Sequence, residues 1–199
     1  INPVVVVALV IPITHLVRNV KAEYSVLVSL LLIPLSALLT ALSPAVESVL
    51  GAQINLGIIH GVHPLVLMVA IGITMQAVAE CFLSPKFMEF ASKQAPPGDI
   101  GLYMGYTGLS TFLAWAFGFA LSGHLLERYC PAPATLAPEL EQMRQTAIAT
   151  GGPLPMAYAH AHYIWYFFAA VGVVAFVAML VFALATGTLK RPSRTAKPQ

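Results

Sequence analysis

The sequence predicts an all-α membrane protein, a polytopic bundle with five transmembrane helices. Of its 199 residues, 58% are hydrophobic and 9% are charged, whereas soluble domains average about 25% charged residues. Apolar runs near the roughly 20 residues that cross a bilayer recur along the chain. The basic residues lie mostly in every second connection between these runs, as the positive-inside rule requires of such a bundle. The net charge of +2 gives no reason to expect nucleic acid as a partner.

The predicted membrane domain covers residues 1–189, and a basic tail of residues 190–199 follows it. The five spans are predicted at residues 1–17, 24–42, 63–83, 104–126 and 163–185. The first run is short for a bilayer crossing, and the chain begins inside it, so we expect a fragment of a longer protein. Pro3 and Pro12 are expected to kink the first span without breaking it, and Pro34 lies near the middle of the second.

The connections between the spans are predicted to be mostly irregular. Residues 43–61 are predicted to form an external loop, because their apolar part is too short to cross a bilayer. Ser84 and Pro85 are expected to end the third span, and residues 86–101 to form a polar connection with a cluster of helix breakers. Residues 135–150 alternate apolar and polar positions in the manner of a surface helix.

The distribution of Lys and Arg predicts the orientation of the chain. Eight of the ten basic residues fall on one side of the predicted spans, and only Arg128 and Arg144 fall on the other. By the positive-inside rule the C-terminal tail and the connection after Pro85 face the cytoplasm. We therefore expect a multi-pass protein of the plasma membrane with a cytoplasmic C-terminus.

The third span contains the strongest candidate for a functional group, the carboxylate of Glu80. Gln76 lies one turn before it and Ser84 one turn after it, so the three side chains share one face of a helix. An acid inside a membrane is costly and ordinarily faces a bundle interior or a watery cavity. Glu80 could bind a cationic or amine-bearing substrate, take part in proton coupling, or form a buried ion pair that locks helices together.

A second polar stripe lies in the fourth span, where Thr107 and Thr111 are one turn apart. Their hydroxyls could face the same cavity as Glu80. Alternatively, each could donate a hydrogen bond to the helix backbone or to a neighbouring helix, as hydroxyls in membrane helices commonly do.

Four histidines offer an alternative interpretation, an integral-membrane metalloenzyme. His60, His63, His160 and His162 form two pairs on the predicted external side, and four imidazoles could hold zinc. Their spacing matches no helical zinc motif. A non-catalytic membrane scaffold subunit is the other alternative.

Several short motifs resemble the proton-dependent oligopeptide transporters of the major facilitator superfamily. The run from Ala79 to Pro85 includes Glu80 and Ser84-Pro85, and it is followed by Ala95-Pro96 and then Met104-Gly105. This order resembles the region of the tenth and eleventh helices in that family. Asn2-Pro3 with the later Pro12 resembles its eighth helix.

The resemblance implies that the five spans are the C-terminal part of a twelve-helix transporter, whose N-terminal helix bundle is missing from this sequence. It implies that Glu80 contacts the amino end of a substrate and that Asn2 reaches the same cavity. It further implies symport of peptide-like or other small solutes by alternating access, with a proton as the coupling ion and no other cofactor. Tyr106-Thr107-Gly108 stands where the family usually has a cavity Trp, which leaves solutes other than di- and tripeptides open.

Overall fold

A computed structural model of the protein describes residues 2–51, 53–57, 59–150 and 154–187. Within this part the chain is mainly helical, with seven α-helices and one two-stranded β-hairpin. The elements in order are α1 (Asn2–Val17), α2 (Ala22–Ala41), α3 (Ser43–Leu50), β1 (Ile54–Leu56), β2 (Ile59–Val62), α4 (Pro64–Gln94), α5 (Ile100–Tyr129), α6 (Pro138–Thr150) and α7 (Tyr163–Ala185). The predicted basic tail, 190–199, lies outside the described residues.

Four helices are long and apolar enough to cross a membrane: α2, α4, α5, and α7 together with the turn that precedes it. Their length and composition indicate a membrane protein and confirm four of the five predicted spans at that level. The first predicted span corresponds to α1, an apolar helix that has 16 residues and is shorter than these four. At 1.5 Å per residue α1 is about 24 Å long.

Helix α2 is the centre of the packing, with α4 on one side and α7 on another. Two glycines allow these close approaches. A Cβ atom on Gly72 of α4 would lie 2.7 Å from Oγ1 of Thr40, and one on Gly172 of α7 would lie 3.0 Å from Cβ of Pro34. Small residues at helix contacts are typical of membrane bundles, where the gain comes from close van der Waals packing.

The buried face of α2 also carries hydroxyl groups. Ser25, Ser29, Ser36 and Thr40 are all buried. Ser29 donates to the carbonyl of Ser25 at 2.8 Å, and Thr40 donates to that of Ser36 at 3.3 Å. Ser36 likewise donates to the carbonyl of Ile33 at 2.7 Å, so three of the four hydroxyls are satisfied within the helix. Oγ of Ser25 is buried and has no hydrogen-bond partner among the described residues.

Helix α1 packs on α4, whereas α5 makes few contacts with the rest of the chain. Leu125 is the single buried residue of α5. Most of the α5 surface is therefore open in the described structure, including the large side chains of Phe112, Trp115 and Phe119.

The helix does not end at Ser84 and Pro85, where the third span is predicted to end, because α4 continues through Pro85 to Gln94. A proline removes one backbone hydrogen bond from a helix, and membrane helices tolerate such a loss. The residues after it support the helix, since Glu89 pairs with Lys86 at i,i+3 and with Lys93 at i,i+4. Hydropathy therefore falls after Pro85 because the residues of α4 change from apolar to charged. The helix itself continues. The connection to α5 is only residues 95–99.

The prediction of an irregular loop over residues 43–61 is also wrong in its detail. Helix α3 occupies the first part of this segment. Gly51 follows the helix with a φ of 81°, a conformation that favours glycine. The hairpin follows, with Ile54 opposite Val62 and Leu56 opposite Ile59. These elements are too short to span a bilayer, and span-length hydropathy does not reveal them.

The remaining boundaries are close to those predicted. Helix α7 has the predicted bounds, 163–185. The surface helix predicted at 135–150 is α6, which begins three residues later, at Pro138, because a separate one-turn helix occupies Pro133–Thr135.

Candidate functional site

The polar face predicted on α4 is present and open. Gln76, Glu80 and Ser84 are all exposed, while Ala77 and Cys81, which follow Gln76 and Glu80 in the chain, are buried. The packing of α1 and α2 against α4 thus covers its apolar side and leaves the line of polar side chains free in the described chain.

Asn2 of α1 reaches Glu80 of α4. Its side-chain Nδ2 donates a hydrogen bond to Oε2 of Glu80 at 3.5 Å, across 78 residues of sequence. This distance is at the long end for such a bond, so the contact is weak. Oδ1 of Asn2 is buried and has no hydrogen-bond partner among the described residues.

Glu80 offers an unused acceptor on this face. Among the described residues, its second carboxylate oxygen receives no protein hydrogen bond. An ammonium group has three donors and no acceptor, so it matches this carboxylate chemically. A proton on Glu80 would turn the same carboxyl into a donor.

Thr107 and Thr111 are not brought to this pair. Thr107 donates to the carbonyl of Met104 at 2.6 Å, and Thr111 donates to the carbonyl of Thr107 at 2.9 Å. Each hydroxyl is therefore satisfied by its own helix, which is the alternative that the sequence left open. The sulfur of Met88 on α4 lies 3.9 Å from Oγ1 of Thr107.

Lys86 is buried, at 5% exposure, and sequence reasoning missed it. Its Nζ donates to the carbonyl of Val20 at 2.9 Å and to Oε2 of Glu89 at 2.8 Å. Lys93 pairs with the other oxygen of Glu89. A buried charge needs such partners. The helical spacing of Lys86, Glu89 and Lys93 is the signal that indicates the cluster, provided that the helix continues past Pro85.

The four histidines of the metalloenzyme alternative have separate surroundings. His63 lies at the start of α4, where its Nδ1 accepts the N–H of Leu65 at 3.1 Å. His160 stacks on Tyr163, with 4.8 Å between ring centroids, and lies 6.4 Å from the ring of His162. In the part of the chain that the structure describes, no group of three or more His, Cys, Asp or Glu side chains could hold a metal ion.

An ion pair on α6 lies outside the membrane-spanning helices. Arg144 donates to both carboxylate oxygens of Glu141, at 2.7 Å each, and Gln145 donates to one of them at 2.8 Å. Hydrogen bonds from Arg144 and then from Gln145 lower the pKa of Glu141 to about 2. The same contact raises the pKa of Arg144.

No protein-family model, curated protein or solved structure matches this chain. The resemblance to the oligopeptide transporters therefore stays a prediction based on its motif residues. The geometry around Glu80 is the structural feature that bears on function.

Proposed function

We propose that this chain is part of a secondary active transporter of the plasma membrane, with a cytoplasmic C-terminus. It carries peptide-like or other small solutes by symport with protons. Alternating access then moves the helices of this chain against another bundle around a site near the middle of the membrane. The coupling ion is the proton, and no further cofactor is required.

The observation that carries the proposal is the meeting of Asn2 and Glu80 on an open face between apolar helices. An acid in an apolar helix has a high desolvation cost and is typically retained where it serves an ion or substrate pathway. Here the carboxylate is exposed within the described chain and has one weak protein partner, at 3.5 Å. A purely structural carboxylate is expected to have close, multiple hydrogen bonds like those that Glu89 receives.

The proposed site recognises an amine or another cationic group. Its positive charge is attracted to the Glu80 carboxylate, and its N–H groups can donate to the carboxylate oxygens, one of which Asn2 already contacts. Gln76 and Ser84 extend the same polar face by one turn on either side. Thr107 and Thr111 belong to the proposal only as the second polar stripe predicted from the sequence, because both hydroxyls donate to backbone carbonyls.

The partner of the open face is proposed to be an N-terminal helix bundle of the same protein. Such a bundle would cover the polar side of α4 and the exposed side of α1, where Val4, Val7 and Ile11 are 74–76% exposed. Without a cover, the polar face would contact lipid, which is unfavourable for a carboxylate.

The test is uptake into proteoliposomes that contain the protein expressed from its full coding sequence. Radiolabelled dialanine and a panel of other small amines are offered with and without an inward proton gradient. We expect Glu80→Gln to reduce gradient-driven uptake by roughly tenfold or more, the scale of a lost charge-assisted hydrogen bond.

Glu127→Gln is the matched control, because Glu127 is an exposed acid at the end of α5. It removes the same charge and is expected to leave uptake unchanged. Normal gradient-driven uptake by the Glu80 variant would overturn the proposed role of that carboxylate. The absence of uptake of every offered solute by the wild-type protein would favour the scaffold or metalloenzyme alternative.

A further inference from the structure

The N-terminus of α4 is held by one residue, His63. Its Nδ1 accepts the backbone N–H of Leu65 at 3.1 Å. Its carbonyl oxygen accepts the N–H groups of Val66 at 3.0 Å and Leu67 at 3.3 Å. Pro64, the first helical residue, has no N–H. His63 therefore accepts the first backbone N–H groups of the helix, which have no acceptor within the helix. The N–H of Leu65 is accepted by the imidazole alone.

The role of Nδ1 as an acceptor fixes the protonation state of the ring. A neutral imidazole that accepts at Nδ1 carries its proton on Nε2. Nε2 lies 3.7 Å from Oε1 of Glu47 on α3, and the two side chains are 44% and 45% exposed. Water and protons therefore reach both groups.

Few other titratable groups surround this ring. Glu47 is the one that α3 contributes, and the first turn of α4 carries no acidic residue. His60 is the titratable residue of β2. Among the described residues, Glu47 is the only acid whose carboxylate oxygen lies within 4.0 Å of a ring nitrogen of His63.

We propose that His63 is a pH-sensitive cap at the junction of α3, the hairpin and α4. The neutral imidazole caps α4 through Nδ1. When a proton from solvent binds Nδ1, that nitrogen becomes a donor and can no longer accept the N–H of Leu65. The imidazolium then forms an ion pair with Glu47, and the first turn of α4 loses its cap. Imidazole is the side chain whose charge ordinarily changes between pH 5 and 8.

The proposal does not depend on transport by this chain. Its consequence is that acidification loosens the start of α4 and strengthens the contact between His63 and α3. The two arrangements exclude each other, because Nδ1 cannot be a donor and an acceptor at once.

Hydrogen–deuterium exchange of the full chain in lipid nanodiscs tests the cap. The peptide that begins α4 is followed at pH 8 and pH 5, the range in which imidazole gains its proton. His63→Asn serves as the reference, because Asn is among the best N-cap residues and does not titrate. The ratio of wild-type to variant exchange rates removes the intrinsic effect of pH.

We expect this ratio to rise by roughly two- to tenfold at pH 5, the effect of losing one N-cap. An equal ratio at both pH values would overturn the proposal. Glu47→Gln should retain protection at pH 8, because the cap uses Nδ1 and not the carboxylate. Loss of protection in this variant at pH 8 would show that the pair with Glu47, and not the cap, holds the junction.

A second measurement needs no variant at position 63 and so does not depend on its folding. Nitrogen-15 NMR of the His63 ring at pH 8 should show Nδ1 without a proton and Nε2 with one. A proton on Nδ1 at pH 8 would exclude the cap.

Discussion

Two charged residues on α4, six positions apart, have opposite surroundings. Lys86 is buried and donates to Val20 and Glu89 at 2.8–2.9 Å. Glu80 is exposed and has one long hydrogen bond from Asn2. Close multiple partners offset the desolvation of Lys86, which indicates a structural role. The sparse surroundings of Glu80 leave its oxygens available to a ligand, as the proposed function requires.

Lys86 is expected to stabilise the junction between α4 and the α1–α2 connection. Lys86→Met leaves the carbonyl of Val20 without this donor, so the free energy of unfolding should fall by about 1–2 kcal/mol. Thermal unfolding in detergent micelles measures the change. Lys93→Met removes the same charge from an exposed side chain and should cost less than about 0.5 kcal/mol. Equal losses in the two variants would contradict the structural role.

The ion pair on α6 makes a prediction about pH. Hydrogen bonds from Arg144 and Gln145 lower the pKa of Glu141 to about 2, from 4.5 for the free carboxyl group. Because the pKa is lower in the folded state, the pairing stabilises α6 fully above pH 4.5 and is lost as the pH falls towards 2. An NMR titration of the Glu141 carboxyl carbon gives the midpoint. Arg144→Gln should move it up towards 4.5, and an unchanged midpoint would exclude Arg144 as the cause.

At the scale of the elements, the contacts of α2 with α4 and α7 depend on the absence of side chains. Gly72 and Gly172 lie against Thr40 and Pro34 respectively. Closely packed interiors do not accept added methyl groups without displacement of their neighbours. The two glycines therefore set the distance between these helices.

Gly72→Ala is expected to destabilise the 199-residue chain by about 1–3 kcal/mol, because the new methyl group would overlap Thr40 and the carbonyl of Ser36. Gly105→Ala is the matched control on α5, where a Cβ atom meets nothing within 4 Å. It should be neutral or stabilise by up to about 1 kcal/mol, since Ala favours helix over Gly. Unfolding in micelles compares the two. A larger loss for Gly105→Ala would contradict the described packing.

Hydropathy predicted the elements that cross a bilayer better than those between them. It placed α7 at its observed bounds because that segment is uniformly apolar. It failed at α4, where a proline coincides with a change from apolar to charged residues that continues the same helix. It also missed α3 and the hairpin, which are short and are bounded by glycines with positive φ, Gly51 after α3 and Gly57 after β1.

At the scale of the whole molecule, the contacts that define the candidate site could be predicted only in part. Helical spacing predicted that Gln76, Glu80 and Ser84 share a face, because that relation lies within one helix. The contact of Asn2 with Glu80 joins two helices, and only a resemblance indicated it. The contact of Lys86 with Val20 spans 66 residues and had no indication at all. Contacts of this kind depend on how helices dock, which periodicity does not specify.

The length of α4 has a consequence for where its end lies. Its 31 residues extend about 46 Å at 1.5 Å per residue, whereas the hydrocarbon layer of a bilayer is about 30 Å thick. The nine residues after Pro85 account for about 14 Å of the surplus, and they contain the Lys86, Glu89 and Lys93 cluster. A helix of this length that crosses a bilayer has to extend beyond the hydrocarbon layer, and the charged residues after Pro85 are the part suited to the headgroups. A water-soluble amine reagent should modify Lys93 and spare Lys86, because Lys93 is exposed and Lys86 is buried.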